Sequence, residues 1–308
     1  MELTVVIPVY NRAKIVARTL KSLECQTTHD FSVILVDNNS TDNTLRVLEQ
    51  WRDKVAPSLF PVTVITEKTP GATAARNAGL KLVETPYTMF FDSDDEMLPT
   101  HISDFIAAIK SNPDVELFGR PAVSLKANGQ KQLIRFTTSS MMYNHIFHSI
   151  LSTQRYIAKT ELFRRVGGWN ESLPAWNDYE LGIRILLARP KAAQVAGKPT
   201  VIQYMHDESI TGADYFHNRL SIVKVLDLIE EHLRKAGETS AISWVNVRRI
   251  IMAARFTIEG HSAAGKELRD RTLANSTTPL RLKMLYLQHR IMGRGTAIPA
   301  KILFPQKK

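Results

Sequence analysis

The sequence predicts an α/β protein with a mostly parallel central sheet and an α-helical C-terminal extension. Over roughly the first 110 residues, short apolar runs alternate with segments in which apolar residues recur at helical spacing. Single helices between successive strands favour right-handed βαβ units and therefore a parallel sheet. Near residue 214 the alternation stops and the pattern becomes almost wholly helical. A chain of 308 residues is long enough for both parts.

The first part of the chain predicts four strands, of which the first two are buried: LTVVIPVY (3–10), FSVILVD (31–37), PVTVITE (61–67) and YTMFFD (87–92). Helices are predicted over 12–24, over the segment that carries Leu45, Leu48 and Trp51, over 72–83 and over 101–110. In open sheets of this kind a ligand binds beyond the carboxyl ends of the strands. Four polar residues lie where these strands end: Tyr10, Asp37, Glu67 and Asp92. We therefore expect them to converge at one edge of the sheet.

The rest of the chain is less regular before it becomes helical. Between residues 115 and 160 the short pieces VELFG, PAVSLK and QLIRF suggest an antiparallel addition. Later elements are a helix in TELFRRVGGW, a helix over 178–189, a strand in VIQYM (201–205), and helices over 214–236, 241–259 and 280–293. The predicted division is a domain over 1–213, with halves at about 1–100 and 101–213, followed by a helical extension over 214–308.

Composition is that of an ordinary globular protein, with 44% apolar and 23% charged residues. The single cysteine, Cys25, excludes an internal disulfide and a cysteine-based metal cage, which fits a reducing compartment. The N-terminal MELTVVIPVY has no basic region and is interrupted by Pro8, so it predicts a strand and not a signal peptide. No run of about 18 apolar residues is present. We expect a cytoplasmic protein that lies at most peripherally on the inner face of a membrane.

The net charge of +10 is concentrated at the C-terminal end. Residues 241–308 contain 13 Lys and Arg against three acidic residues, whereas residues 1–240 contain 27 of each sign. A division this sharp concerns binding partners more than fold. Nucleic acid is not an expected partner, because the tail carries no recognised binding motif.

The predicted helix 280–293 suggests one partner for this charge. Lys283, Arg290 and, just beyond the end of the helix, Arg294 lie near one azimuth. The residues largely opposite are Met284, Leu285, Ile291 and Met292. A basic amphipathic helix is typical of binding to an anionic membrane surface. In the alternative interpretation, the apolar face packs on the catalytic part of the chain or on a second subunit of a homo-oligomer.

The glycine-rich loops of dinucleotide dehydrogenases and P-loop kinases are absent, since the first turn reads PVYNRAK. In FFDSDDEMLP (90–99), however, a buried strand runs into three carboxylates. Carboxylates this close repel each other unless a cation or hydrogen-bond donors compensate them. Divalent cations prefer carboxylate and phosphate oxygens, so the D-x-D of Asp92, Ser93 and Asp94 is typical of a metal-diphosphate site. On its own, the motif describes a capped strand end more often than a metal site.

Five motifs together stand in the order and spacing of the inverting glycosyltransferases of family 2, which the chain resembles over roughly residues 3–210. They are VVIPVYNR (5–12), VDNNSTDNT (36–44), GATAARNAGL (71–80), FFDSDDEMLP (90–99) and VGGWNESLPAWNDYELGIRIL (166–186). The resemblance implies the GT-A fold, a nucleotide-diphosphate sugar donor and a divalent cation, Mn²⁺ or Mg²⁺. It also implies that 1–213 is a catalytic domain with a nucleotide-binding half followed by an acceptor half.

The same resemblance implies the roles of individual residues. Asp178 stands at the position of the catalytic base, and the metal ligands are Asp94 and His206. The donor-binding residues are Pro8, Tyr10, Asp37, Arg76, Asp92 and Ser93.

Elementary chemistry agrees with most of these roles and leaves alternatives open. Tyr10 and Asp37 supply the aromatic wall and hydrogen bonds that a pyrimidine needs, although Tyr10 is equally well explained as a strand-end aromatic. Arg76 lies in the first turns of a helix, where anions are favoured, but it also fits a solvated helix residue. Asp178 fits a base or a helix cap, and His206 fits a metal ligand or a structural histidine.

One position departs from the family pattern. Asn177 replaces the Glu of the usual Glu-Asp pair, which puts in doubt any role of that acid near the metal. Glu180 is a fallback base, although two positions along a helix point it about 160° away from Asp178. Asp42 and Asp95 are expected to cap helices or to accept hydrogen bonds behind the site.

The sequence thus predicts a metal-dependent inverting glycosyltransferase of the hexosyltransferase class. It would move a sugar, most often from UDP in this family, to a hydroxyl of a glycan or lipid-linked glycan. A nucleotidyltransferase on a related sheet is one alternative, but it should carry a glycine-rich and basic loop after the first strand. A catalytically silent protein that binds sugar nucleotides or membranes is the other. Asn177 fits that alternative, whereas the presence of both Asp94 and Asp178 argues against it.

Overall fold

The computed structural model of the chain describes residues 1–205 and 219–293. The chain forms two compact units: the first is Met1–Met141 with Ile150–Gly212, and the second is Met142–Ser149 with Ala213–Lys308. All strands of the described residues belong to the first unit. His206, predicted as a metal ligand, lies outside the described residues.

The described ranges contain eleven strands and eleven α-helices. The strands are β1 Leu3–Val9, β2 Ser32–Asp37, β3 Val62–Thr66, β4 Tyr87–Phe90, β5 Glu96–Met97, β6 Leu117–Gly119, β7 Ala122–Leu125, β8 Lys131–Ile134, β9 Tyr156–Lys159, β10 Ala192–Gln194 and β11 Val201–Tyr204. The helices are α1 Val16–Glu24, α2 Thr44–Val55, α3 Ala72–Lys81, α4 His101–Ser111, α5 Met141–His148, α6 Thr160–Arg165, α7 Asn177–Leu187, α8 Arg219–Lys235, α9 Thr239–Ile258, α10 Ser262–Ala274 and α11 Pro279–Met292.

Two of these helices, α5 and α10, were not predicted from the sequence. Only three residues of each helix are buried, and in α10 these are Gly265, Leu268 and Thr272. Such a helix carries almost no apolar periodicity to detect. Gly265 instead allows close packing, because a Cβ there would lie 2.6 Å from the carbonyl oxygen of Ala253 in α9.

The larger sheet has seven strands in the order β10-β6-β9-β4-β1-β2-β3. The neighbours β4, β1, β2 and β3 are parallel, as predicted, and β9 runs antiparallel between β4 and β6. A smaller sheet follows the order β5-β11-β7-β8 and contains the antiparallel pair of β7 and β8. The antiparallel addition predicted for residues 115–160 is therefore divided between two sheets.

Helix α3 packs directly on the centre of the larger sheet. All seven residues of β1 are buried, as expected for a strand covered on both faces. At Gly79 of α3, an added Cβ would lie 2.4 Å from Val6 Cγ1 in β1 and 3.2 Å from Val36 Cγ2 in β2. Only glycine fits this approach, which fixes α3 against the two strands that end at the predicted donor site.

The second unit is held together around a buried arginine, Arg249 of α9. Its guanidinium donates to Asp227 Oδ1 at 2.9 Å, to the Leu226 carbonyl at 3.0 Å and to Glu230, all on α8. Arg271 of α10 also donates to Asp227, at 3.0 Å. These groups line a cleft of about 420 Å³ in which arginines and carboxylates are paired with one another. The network connects three helices of the unit.

Of the four residues predicted for the apolar face of α11, only one packs against the rest of the described structure. Leu285 is buried, but Met284, Ile291 and Met292 are exposed. The buried face consists of Leu282, Leu285, Tyr286 and His289. Apolar residues occur on two sides of this helix, so the sequence pattern alone does not select the packed side. None of the helices in the described ranges combines the length and apolar character that a membrane crossing requires.

Candidate active site

Apart from Arg76, which lies on α3, the predicted donor residues lie at the carboxyl ends of three adjacent parallel strands, β4, β1 and β2. Pro8 is buried within β1 opposite Val36, and Tyr10 follows the strand with 54% of its surface exposed. Asp37 is the last residue of β2, and Asp92 follows β4 by two residues. The parallel topology therefore brings these side chains to one edge of the sheet, where an open α/β sheet binds its ligand.

Asp37 is buried and only half satisfied. Its Oδ2 accepts the Ser40 N–H at 3.1 Å, whereas its Oδ1 is buried without a hydrogen-bond partner. An orphaned carboxylate oxygen is costly to bury, so it points to a ligand N–H or O–H that would donate to it.

Arg76 is a buried bridge and not a solvated helix residue. Its Nη2 lies 2.7 Å from Asp92 Oδ1, and its Nη1 donates to Asn177 Oδ1 at 3.4 Å. The guanidinium carbon lies 4.3 Å from the ring centroid of Trp169, within the range of a cation–π contact. One side chain thus joins the D-x-D segment to the start of α7.

Trp169 is itself held in place by α3. Asn77 donates from Nδ2 to the Trp169 carbonyl at 2.9 Å, and the Trp169 N–H donates to Asn77 Oδ1 at 2.8 Å. The preceding Gly168 has φ +66°, and a Cβ there would lie 2.7 Å from Asn77 Oδ1. The glycine and tryptophan of the VGGW segment therefore have a physical role, which is to fix the aromatic surface beneath Arg76.

The three carboxylates after β4 have different surroundings. Asp95 is buried, its Oδ1 accepts the Tyr204 N–H at 2.9 Å, and its Oδ2 accepts a hydrogen bond from Gln154. Burial, with the nearby charges of Asp92 and Asp94, raises the pKa of Asp95 well above its ordinary value. Asp95 thus accepts hydrogen bonds behind the site and does not cap a helix.

Asp94, like Asp92, is partly exposed and so accessible to a ligand. Its side chain is 26% exposed, and its Oδ2 lies 4.0 Å from Arg12 Nη2. Arg18 donates to its carbonyl oxygen at 2.5 Å, which fixes the backbone there, and the neighbouring Ser93 is buried. No group of three or more His, Cys, Asp or Glu within residues 1–205 and 219–293 is arranged to hold a metal ion. One or two carboxylates nevertheless suffice for Mg²⁺ when substrate phosphates complete its coordination, so Asp94 fits that role.

Asp178, predicted as the catalytic base, is the second residue of α7. The helix is preceded by Trp176 in the left-handed conformation, with φ 58°, so Asp178 is not the helix cap. Its Oδ1 accepts the Tyr179 N–H at 2.8 Å. Desolvation raises the pKa of Asp178, and Asp92 raises it further, against the opposing effects of Arg76, the Tyr179 N–H and Arg155. A carboxylate with a raised pKa binds a proton more readily, as a general base requires.

Glu180, the fallback base, is already engaged. It is fully buried, and both of its oxygens lie 2.7 Å from Arg184, one from Nε and one from Nη2. A bidentate ion pair of this kind fixes the position of the carboxylate and occupies both of its oxygens. Asp178 is therefore the carboxylate of α7 that remains suited to take a proton.

Three polar residues at the start of β9 were not predicted as part of the site from the sequence. Gln154 donates to Asp92 Oδ2 at 2.6 Å as well as to Asp95, and it accepts from Gln203 Nε2 at 3.1 Å. Arg155 is buried, which lowers its pKa to about 10, and its charge acts on Asp178. The hydroxyl of Tyr156 is buried without a partner. The only signal in the sequence was a run of large polar residues, QRY, directly before an apolar strand.

Comparison with known proteins identifies the family. The model of "Glycosyl transferase family 2" matches residues 4–167. An uncharacterized glycosyltransferase of Haemophilus influenzae is 27% identical over 269 residues, which are 81% of this chain and 83% of that protein. The poly(ribitol-phosphate) beta-N-acetylglucosaminyltransferase TarS of Staphylococcus aureus is 33% identical over 111 residues, 35% of this chain. That match spans 19% of the length of TarS, so it covers only a part of that protein.

Solved structures share the fold at low sequence identity. Residues 1–349 of S. aureus TarS in complex with UDP-GlcNAc superpose with a TM-score of 0.68 at 20% identity, covering 94% of this chain and 88% of that one. The mannosyltransferase PcManGT of Pyrobaculum calidifontis, with GDP-Man and Mn²⁺, gives a TM-score of 0.56 at 17% identity, covering 99% and 88%. The predicted GT-A-type fold is confirmed. The chain belongs to glycosyl transferase family 2 and is a glycosyltransferase.

Proposed function

We propose that the protein transfers a sugar from a nucleotide-diphosphate donor, a UDP-sugar, to a hydroxyl of a glycan or lipid-linked glycan, with inversion at the sugar carbon. The observation that carries this proposal is the bridge made by Arg76, which ties Asp92 of the donor edge to Asn177 beside the base Asp178. A donor bound at the strand ends would thus have its sugar near the one suitable carboxylate of α7. The complexes of TarS with UDP and with UDP-GlcNAc support UDP as the nucleotide.

The nucleotide would bind across the ends of β1 and β2. The orphaned Oδ1 of Asp37 would accept a hydrogen bond from the base or ribose, while Pro8 and the exposed Tyr10 ring form an apolar wall. Asp92 and Ser93 would lie at the ribose. Arg76, already fixed by Asp92 and Trp169, would supply positive charge beside the diphosphate without losing further side-chain entropy.

A divalent cation, Mn²⁺ or Mg²⁺, would be held by Asp94 and His206 together with the diphosphate oxygens. When bound, it would stabilise the negative charge that develops on the departing diphosphate. The Mn²⁺ in the PcManGT complex supports this choice of cofactor. Arg12, at 4.0 Å from Asp94, would add a second positive charge on the same side.

Asp178 would act as general base in a single displacement. The acceptor oxygen forms a bond to C1 of the sugar as the bond from C1 to the diphosphate oxygen breaks, and the hydroxyl proton passes to Asp178. Desolvation raises the pKa of this carboxylate and makes it a better proton acceptor, while the charges of Arg76 and Arg155 favour its ionised form, which is the form that a general base needs.

The acceptor is proposed from the relatives and from the charge of the chain. Curated relatives include enzymes of poly(ribitol-phosphate) and a teichoic acid poly(glycerol phosphate) polymerase, which support a hydroxyl of a cell-envelope polymer as acceptor. The excess of basic residues over 241–308 supports a reaction on the cytoplasmic side at an anionic membrane surface. Membership of family 2 argues against the nucleotidyltransferase alternative.

A thermal-shift screen tests the donor and cation together. UDP, GDP, CDP and their sugars would each be added with Mn²⁺ or with EDTA to the wild type, to Asp94→Ala and to the surface control Asp53→Ala. We expect UDP ligands with Mn²⁺ to raise the melting temperature by a few degrees, because a ligand at about 100 times its Kd stabilises the fold by about 2.7 kcal/mol. EDTA or Asp94→Ala should abolish the shift, whereas Asp53→Ala should keep it. A shift for no nucleotide would refute the donor site.

A further inference from the structure

Helix α11 has a second apolar stripe that its own packing leaves uncovered. Its buried face consists of Leu282, Leu285, Tyr286 and His289. The uncovered residues, called here the α11 stripe, are Leu280, Met284, Leu287 and Ile291, with exposed fractions of 78%, 61%, 48% and 84%. Single exposed apolar residues are normal on a protein surface, but four on one side of one helix mark an interaction site.

The geometry of the helix lines these residues up. Their spacing of four, three and four residues keeps them within about 60° of one another around the helix axis, roughly opposite the buried face. Lys283 and Arg290 flank the α11 stripe on one side and Arg281 on the other, all three exposed. The sequence of the helix, PLRLKMLYLQHRIM, contains no acidic residue.

We propose that the α11 stripe docks onto an anionic lipid bilayer. In that arrangement the helix lies in the plane of the interface, with its apolar side chains among the lipid headgroups and acyl chains. The aliphatic stems of Lys283 and Arg290 cover the edges of the stripe, and their charges reach the lipid phosphates.

Charge distinguishes the bilayer from a second copy of the chain. A symmetric pair of α11 helices would bring Lys283 and Arg290 against like charges, with no acid on either helix to compensate them. Residues 241–308 also contain 13 basic against three acidic residues, so the approach of two such segments is repulsive. An anionic bilayer instead offers acyl chains for the apolar side chains of the α11 stripe and negative headgroups for Lys283 and Arg290.

The inference rests on the proposed function only in the choice of a membrane-bound acceptor, since docking itself needs neither donor nor cation. It also identifies the residues that carry the predicted membrane contact. Met284 and Ile291 lie on the exposed side of the helix and would contact the bilayer, while Leu285 lies on the side that packs in the protein.

Co-sedimentation with lipid vesicles tests the docking. The full chain would be mixed with vesicles of phosphatidylcholine alone, or with equal parts phosphatidylcholine and phosphatidylglycerol, at low and high salt. We expect binding to the anionic vesicles that weakens with salt and little binding to the neutral ones. Combining Met284→Ser with Ile291→Ser should lower the partition coefficient roughly tenfold or more. Lys283→Gln with Arg290→Gln should lower it roughly fivefold for each charge removed.

Two control variants match these changes elsewhere on the surface. Leu133→Ser removes a side chain that is 53% exposed on β8, and Lys266→Gln removes an exposed charge on α10. Both should bind vesicles like the wild type. Equal binding to neutral and anionic vesicles, or unchanged binding by the Met284→Ser and Ile291→Ser variant, would overturn the proposal. So would a dimer, measured by light scattering, that this variant dissociates.

The same variants separate this inference from the enzymatic proposal. Without vesicles, the α11 variants should show the nucleotide-induced thermal shift of the wild type. A nucleotide shift without vesicle binding overturns the docking alone. Vesicle binding without any nucleotide shift overturns the donor site alone and leaves the docking supported.

Discussion

Two buried arginines, one in each unit, hold carboxylates in different ways. Arg249 in the second unit is bonded to Asp227 and Glu230, and these acids in turn contact Arg271 and Arg234. Burial raises the pKa of Glu230, but hydrogen bonds and charge from Arg249 and Arg234 more than reverse this, so its pKa is lowered. Arg76 in the first unit is also bonded to a carboxylate, yet the acids around it are not neutralised in the same way.

The pKa of Asp178 stays raised although Arg76 and Arg155 both lower it, and the pKa of Asp95 is raised still more clearly. In the cluster around Arg249, the arginines compensate the charge of the carboxylates, and the resulting ion pairs hold α8, α9 and α10 together. In the candidate site, burial is the main reason that Asp95 and Asp178 resist ionisation, and a bound cation would favour their ionised forms. The direction of the pKa shift therefore differs between the helical network around Arg249 and the candidate site around Arg76.

The largest expected effect is on turnover in Asp178→Asn. An amide cannot take the acceptor proton, so kcat should fall about a hundredfold to ten-thousandfold, while the nucleotide thermal shift remains. The measurement is release of nucleoside diphosphate with a hydroxyl acceptor. Asp53→Asn, the same change at a side chain that is 68% exposed, should have wild-type turnover. Turnover in Asp178→Asn within threefold of wild type would exclude this residue as the base.

The matched pair Arg249→Met and Arg76→Met tests the comparison itself. Arg249→Met leaves Glu230 without its main partner, so the free energy of unfolding should fall by about 3 kcal/mol. This value is at the lower end for a broken buried ion pair, because the second carboxylate, Asp227, is 44% exposed to solvent. The specific activity of the remaining folded protein should not change. Arg76→Met should instead abolish most activity, because the guanidinium that would face the diphosphate is lost.

The pH dependence of the free energy of unfolding gives a second test of the role of Arg249. Since the folded-state pKa of Glu230 is lowered, its contribution is present above the ordinary value, about 4.3, and is lost as the pH falls through the lower folded value. Denaturant unfolding should therefore show the gap between wild type and Arg249→Met closing below about pH 4. If Arg249→Met instead lost activity without losing stability, the two arginines would not differ as described.

The sequence identified the acids and bases of the site through motifs but not the groups that orient them. Asp92, Asp94, Arg76 and Asp178 stand in segments with recognisable order and spacing, and the parallel topology of the sheet explains why the strand ends meet. Gln154 belongs to no motif, because its role depends on the antiparallel entry of β9 beside β4, which local pattern does not encode.

The helical unit shows a different limit of sequence reasoning. Apolar residues lie on two sides of α11, so the hydrophobic pattern could not decide which side packs and which side faces outward. Helix α10 was missed because its contact with α9 depends on Gly265 and close backbone approach, and apolar periodicity contributes little there.

Gln154→Leu should have an intermediate effect. The change keeps a side chain of similar length but removes the hydrogen bonds to Asp92 and Asp95, so Asp92 loses one of its two fixed contacts. We expect kcat/KM for the donor to fall roughly tenfold, since a hydrogen bond to a charged group contributes about 1.5 kcal/mol or more. Gln130→Leu, at an exposed turn, is the matched control. Equal kcat/KM for the two variants would show that Gln154 does not position Asp92.

The smallest expected effect is a shift of the pH profile in Asn177→Asp. Because the pKa of Asp178 is raised, the acid limb of kcat/KM should already lie above pH 3.9, the ordinary value for aspartate. A new negative charge next to Asp178, and within reach of Arg76, disfavours a second ionised carboxylate, so the limb should move up by about half to one pH unit. Asn128→Asp, at an exposed turn, adds the same charge away from the site and should leave the limb in place. A limb that moves equally in both variants, or moves down in Asn177→Asp, would mean that Asp178 is not the titrating base.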